Sequence, residues 1–292
     1  MRRKAPELAL AAEADLGEGP WWDEQNQDLL WVDIFAGEIH RFHPADGSDS
    51  SFSVGQPVGM VAGRRPGGLV CAVRDGIGLI EPGEEVMTLA AGVEASRREN
   101  RMNDGACDSA GRLWAGTMAT DLSSGAGALY RIGHDLAVNK VVGDLSISNG
   151  LDWSPDGSTF YFIDSPTRRI DAYDFDAGSG EISNHRSLAE LPHPVATPDG
   201  MAVDADGTLW VAMWDGGCIR RYSPAGQLLE TIKLPVSRVT SLAFGGRNLD
   251  QLFITTARHG LSKQRLASEP LAGTIFCLDA GVTGFAPHLF AG

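Results

Sequence analysis

The sequence predicts an all-β chain folded as a six-bladed β-propeller, with four strands per blade around a central channel. Three observations predict it. A strand of type Leu-Trp-Val/Ala recurs six times along 292 residues. From Leu30 to Leu69, Leu113, Tyr161, Leu209 and Leu252 the spacings are 39, 44, 48, 48 and 43 residues. A period of about 40–50 residues holding several short strands marks a propeller. Asp-Gly pairs fall between strands inside four of the copies, at 46–47, 75–76, 156–157, 206–207 and 215–216, where a tight hairpin needs a residue tolerant of positive φ.

Each copy shows the strand, then a turn, then a second apolar strand. Leu30-Trp31-Val32-Asp33 leads through Gly37 to Ile39-His40-Arg41-Phe42, and Leu69-Val70-Cys71-Ala72 through Asp75-Gly76 to Leu79-Ile80. Leu113-Trp114-Ala115-Gly116 leads through a longer loop to Ala128-Leu129-Tyr130-Arg131, and Phe160-Tyr161-Phe162-Ile163 to Ile170-Asp171-Ala172-Tyr173. Leu209-Trp210-Val211-Ala212 leads to Ile219-Arg220-Arg221-Tyr222, and Leu252-Phe253-Ile254-Thr255 to Thr274-Ile275-Phe276-Cys277. The fifth copy shows all four strands, at 201–203, 209–214, 218–222 and 228–234. The one helical stretch is 261–267, so residues 1–292 form a single domain. The sixth copy lacks a clear fourth strand. Either 287–290 or the N-terminal run 8–12 supplies it; the N-terminal run is favoured because joining the chain ends protects the sheet edge.

Composition narrows the function. A 43% hydrophobic content supports a large core, and Trp31, Trp114 and Trp210, at one repeat position, belong to it between blades. With 38 acidic against 24 basic residues the net charge is −14, which argues against nucleic acid and anionic membrane as partners. No protein partner is implied. Cys71, Cys107, Cys218 and Cys277 form no CxxC and no clustered pair, so they read as buried free thiols. Arg2-Arg3-Lys4 resembles a signal n-region, but residues 5–14 hold Glu7 and Glu13 and no continuous apolar core. A cytoplasmic location is expected, and no segment is long and apolar enough to span a membrane as a helix.

Four segments break the repeat's apolar rule. Glu18-Gly19, Asn103-Asp104-Gly105, Asn149-Gly150 and Asp199-Gly200 stand ahead of the strand in four copies. Asn103 lies 11 residues before Trp114 and Asp199 lies 11 before Trp210; Glu18 lies 13 before Trp31 and Asn149 lies 13 before Phe162. They are expected to precede the first strand of each repeat and to converge on the channel axis. Gly59-Met60 and Ser241-Leu242 hold the matching positions, leaving room beside a polar arc. Oxygen donors converging on one point make a site for one divalent cation, namely calcium, magnesium, manganese or zinc. Glu18 and Asp199 would balance its charge and Asn149 would add an amide oxygen. Three protein ligands leave positions for water and substrate. The glycine after each ligand would let backbone or ligand come close.

Arg101, two residues from Asn103, offers a planar donor fork for carbonyl or hydroxyl oxygens. Asp121 opens the loop 120–127, which could reach over the channel mouth. Loops 214–217 and 258–263 would shape the same mouth. His259 could line it, although a loop histidine with no such role is the more common case. His40 and His43 point to opposite faces of a strand and cannot share a metal. No GxSxG elbow, GxGxxG turn or GxxxxGK[ST] loop occurs.

At these residues the chain resembles the SMP-30/gluconolactonase/regucalcin family. The resemblance rests on Leu16-Gly17-Glu18-Gly19-Pro20 with Trp22, Arg101-Met102-Asn103-Asp104-Gly105, Ala115-Gly116-Thr117-Met118, Ser148-Asn149-Gly150-Leu151 and Pro198-Asp199-Gly200-Met201. Thr255-Thr256-Ala257-Arg258 with Pro270-Leu271-Ala272-Gly273 extends it, so it covers nearly the whole chain. It implies a propeller with a central divalent metal held by Glu18, Asn149 and Asp199, and Arg101 and Asn103 as substrate contacts. It also implies an acid near Asp121 that touches the sugar, and hydrolysis of a sugar lactone, an aldonolactone, to the aldonic acid. Asp199 is then the ligand that also serves as base. Some animal members are known as calcium-binding proteins. A non-catalytic propeller that binds calcium or a sugar acid is therefore the alternative, and hydrolysis of other esters or phosphotriesters is a third.

Overall fold

The structure is a computed structural model that describes residues 5–192 and 195–292. Its strands form six four-stranded antiparallel sheets. In the first five the strands follow sequence order, beginning with Gly17–Asp23, Asp28–Asp33, Glu38–His43 and Ser48–Ser53. The innermost strands of the next four are Val58–Gly63, Asn100–Cys107, Ser148–Trp153 and Thr197–Val203. The fifth sheet matches its four expected strands, except that its inner strand begins earlier, at Thr197. The one α-helix among the described residues is Lys263–Ser268, capped by Ser262 Oγ accepting from Arg265 N at 3.1 Å.

The sixth sheet closes the ring. Its inner strands Val239–Gly245, Gln251–Thr256 and Ile275–Asp279 are completed by the N-terminal Glu7–Leu10. Glu7 stands opposite Cys277, and Leu8 opposite Phe276. The other candidate, 287–290, does something different. It belongs to a C-terminal strap that ties distant blades together. Ala205 N donates to Thr283 O at 2.8 Å, Phe290 N to Gly63 O at 2.9 Å, and Ala291 N to Gly111 O at 2.9 Å.

The core is divided into wedges between adjacent blades. Leu30, Val32, Val58 and Cys71 fill the wedge between the first two blades; Trp114, Leu129, Leu151 and Phe160 fill that between the third and fourth. Trp31, Trp114 and Trp210 are buried in such wedges. The strap adds Phe290, fully buried against Met60, Ala62, Leu113 and Ile132. Phe290→Ala would leave a cavity in a packed interface. It is expected to destabilise the protein by roughly 3–5 kcal/mol, read by urea unfolding.

Two buried aspartates hold the turns beneath the repeat tryptophans. Asp204 Oδ1 accepts from Asp206 N (3.1 Å) and Thr208 N (2.7 Å), and Oδ2 accepts from Trp210 Nε1 at 2.9 Å. Asp108 does the same for Ala110 N, Arg112 N and Trp114 Nε1. Both lie six residues before their Trp, a spacing legible in the sequence once the turn is known.

Candidate functional site

The six inner strands share one irregularity, and it builds the site. Each carries one extra residue relative to its neighbour, between Glu18 and Trp21, Val58 and Met60, Met102 and Gly105, Ser148 and Leu151, Pro198 and Met201, and Val239 and Ser241. A bulge re-aims side chains and sharpens strand twist. Glu18, Asn103, Asn149 and Asp199 sit at these bulges. They therefore lie within the inner strands rather than ahead of them, which corrects the expected placement; the bulge keeps the strand paired on both sides of the polar residue.

The glycines at the bulges serve the ring itself. A Cβ on Gly59 would stand 2.0 Å from Asn103 O, one on Gly150 2.6 Å from Asp199 O, and one on Gly200 2.2 Å from Ser241 Oγ. Neighbouring inner strands approach too closely for any side chain there. The close approach is that of the neighbouring strand, by backbone at Gly59 and Gly150 and by the Ser241 side chain at Gly200.

Glu18 and Asp199 are buried, 6% and 5% exposed. Asn149 Oδ1 accepts from Asn103 Nδ2 at 2.7 Å, and its amide donates to Ser165 Oγ at 2.8 Å. Asn103 Nδ2 also reaches Ser148 O at 2.9 Å, and its Oδ1 accepts from Arg101 Nη1 at 2.7 Å. Both amide protons of Asn103 are thereby committed, so it mainly fixes Arg101 and Asn149 and keeps one oxygen lone pair for a substrate hydroxyl. Arg101 also donates to Met102 O at 3.0 Å, and its buried Nε has no partner among the described residues.

The electrostatics are strained. Burial, then Asp104, pushes the Glu18 carboxyl up to about 8 against the Gly19 N–H and Arg101. Burial, then Glu18 and Asp104, pushes Asp199 well above the carboxylate range. Burial lowers Arg101 to about 10, opposed by the charges of Glu18 and Asp199. Asp104 adds a third acid whose charge opposes ionisation of both Glu18 and Asp199, and Arg101 offsets this only in part.

Asp104 is the residue that sequence reasoning missed. It is half-buried, accepts from Gly105 N at 2.7 Å and is raised to about 6 by burial. Its place between Asn103 and Gly105 was the signal.

A divalent cation fits this donor set. Glu18 receives only the Gly19 N–H (3.1 Å), and no group among the described residues donates to the Asp199 carboxylate. Their oxygens are therefore desolvated without protein compensation, and a dication balances the charge. Among the described residues no three His, Cys, Asp or Glu side chains converge on one point, so a three-ligand set requires the Asn149 amide.

Uptake of a cation displaces protons from acids held this high. In the metal-free protein a carboxyl raised from 4.5 to about 8 gives stability that is full at low pH and lost as pH rises through about 8. Metal affinity is therefore expected to rise from pH 6 to pH 9, with proton release at pH 7. Calorimetric titration in two buffers of different ionisation enthalpy checks it; equal heats would contradict it.

Asp121 stands apart from this cluster. It lies exposed on its loop, and its carboxylate accepts from Ser123 N at 3.0 Å and Ser123 Oγ at 2.6 Å. No bond joins it to the other five residues. Loops 120–127, 214–217 and 258–263 all leave second strands at the end paired with the start of an inner strand, hence at the Glu18 end of the channel. A cavity of about 810 Å³ occupies the other end, between the strands' far halves and the strap residues Phe285 and His288.

Residues 16–258 match the family described as "SMP-30/Gluconolactonase/LRE-like region". The chain belongs to this family. It is 40% identical to regucalcin of Gallus gallus over 95% of both chains, and 40% identical to regucalcin of Homo sapiens over 98% of both. Among solved structures it resembles a calcium-binding protein, regucalcin, from Agrobacterium tumefaciens (TM-score 0.95, 29% identity, 99% and 98% of the two chains). It also resembles a luciferin-regenerating enzyme (TM-score 0.90, 34% identity, 99% and 100%). A gluconolactonase from Xanthomonas campestris shares the fold, with TM-score 0.76 at 24% identity over 95% and 90%.

Proposed function

We propose that this protein is a metal-dependent lactonase that opens a sugar lactone, an aldonolactone of five or six carbons, to its aldonic acid. One observation carries the reading. Two buried, mutually repelling carboxylates and an oriented amide line one end of a channel, beside an arginine with a free buried N–H. Such a cost in stability is retained at sites that bind or react. The family supports the same class.

Glu18, Asn149 and Asp199 would hold one divalent ion, calcium, zinc, magnesium or manganese, which supplies a Lewis acid for the lactone carbonyl. Asp199 takes the proton of the attacking water at a carboxylate oxygen, since it alone among the acids here lacks a protein donor. Glu18 contributes charge and a ligand oxygen. Arg101 binds carbonyl or hydroxyl oxygens through its free N–H, and Asn103 keeps Arg101 and Asn149 in place. Asp121, exposed on loop 120–127 at the same end of the channel, would offer a further carboxylate to substrate. The four cysteines are free thiols, which suits the reducing cytoplasm.

The test follows proton release from a panel of five- and six-carbon aldonolactones, with metal-stripped protein and each ion restored singly. Metal-dependent hydrolysis of one lactone establishes substrate class and cofactor together. No rate above background with any ion favours the second reading, a propeller that only binds calcium or a sugar acid; the calcium-binding relative supports it.

A further inference from the structure

Phe35 is a large apolar side chain left 38% exposed at the mouth of the site. It follows Asp28–Asp33, whose last residue pairs with Gly17, next to Glu18. The Arg101 guanidinium carbon lies 5.5 Å from its ring centroid. The His259 imidazole stands 4.6 Å from it, tilted by 35°. His259 comes from the sixth blade and is anchored: its Nδ1 bonds Asp15 Oδ2 at 3.0 Å, and its N–H donates to Asp15 O at 2.7 Å.

Two blades and the segment before the first inner strand thus hold one ring in water at a fixed angle. The exposed part of Phe35 forgoes only a share of the about 1.5–3 kcal/mol that full burial gives, and it is this share that a ligand could cover. Sugar rings are amphipathic. Their hydroxyl edges suit Arg101 and the oxygen cluster, while their C–H face suits a rigid aromatic surface beside those polar groups.

We propose that Phe35 is the platform for the C–H face of the sugar substrate, and that His259, anchored by Asp15, is a positioning residue that sets its angle. The proposal rests on the lactonase reading. The experiment measures kcat and KM for the best lactone of the panel in wild type, Phe35→Ala, Phe35→Tyr, His259→Ala and His259→Phe. Phe35→Ala is expected to raise KM roughly tenfold, one buried contact's worth, with kcat little changed. Phe35→Tyr should recover most of that loss. His259→Ala should raise KM by less, and His259→Phe, which keeps a ring against Phe35, should recover most of it. An unchanged KM in Phe35→Ala, or a loss confined to kcat through Arg101, overturns the platform while wild-type activity leaves the lactonase reading standing. An unchanged KM in His259→Ala overturns its positioning role. A wild type inactive on every lactone overturns both readings at once and is distinguished by that result alone.

Discussion

Asp199→Asn is expected to lower turnover by roughly 10²–10⁴-fold, the usual span for a lost general base, while cation binding persists in weakened form. Glu18→Gln is expected to lose cation binding first, and activity with it. The asymmetry follows from the contacts. Glu18 accepts the Gly19 N–H and is tied to its strand; no described residue donates to the Asp199 carboxylate, so its oxygens are free for a ligand bond and a proton. A second consequence separates these variants from ordinary structural damage. Glu18 costs the metal-free protein stability at alkaline pH, because burial and Asp104 raise its carboxyl to about 8. Removing that charge should stabilise the metal-free protein by on the order of 3 kcal/mol above pH 8. Melting curves with and without added cation read both effects. Normal turnover in Asp199→Asn would remove it as the base. A lower melting temperature for metal-free Glu18→Gln at pH 8.5 would refute the electrostatic account.

Asp204→Ala should give a large loss of stability, comparable with that of Phe290→Ala. It removes the acceptor of Asp206 N, Thr208 N and the indole N–H of Trp210, and leaves Arg221, 4.2 Å from the Trp210 ring centroid, with Glu230 as its acid. Unmade buried hydrogen bonds cost about 1–3 kcal/mol each, so a loss of roughly 4 kcal/mol and a fall of about 10 °C in Tm are expected. Asp204→Asn should fall between, since its amide can serve the two turn N–H groups but presents a donor to the indole. Metal affinity should stay near wild type in whichever variant remains folded, because Asp204 touches none of the site residues. A change in melting of less than 2 °C in the alanine variant, on a scale of about 2–4 °C per kcal/mol, would show that the turn finds other partners.

Much of the fold was legible because the repeat repeats. Six aromatic or apolar strands at near-constant spacing allow few arrangements, and each must bury two faces against neighbouring blades. The N-terminal closure followed from the missing fourth strand of the last copy. The role of 287–290 did not follow, because a strap held by backbone bonds to Gly63 and Gly111 leaves no periodic pattern. Phe290 looked like any strand residue until its wedge was known.

The candidate site divides in the same way. Acids and amides at positions where a repeat should be apolar marked Glu18, Asn103, Asn149 and Asp199 from the sequence alone. Asp104 escaped because its neighbour Asn103 held the repeat position, and only the bulge turns both residues to use. The glycines were misread in part, since the sequence shows which residue is small and not what comes near it. Asp121 was marked by its loop position and by kinship; in the structure its carboxylate is taken up by Ser123 two residues on.

The sequence by itself determined the all-β class, the number of blades, the family and the polar residues that converge on the axis, because these depend on periodicity and residue chemistry. Only the tertiary structure decided which groups face each other across blades: Asn103 with Asn149, Arg101 with Phe35, Asp15 with His259. Those pairs join residues far apart in the chain, and their meeting depends on one bulge per inner strand and on glycines that let the blades close.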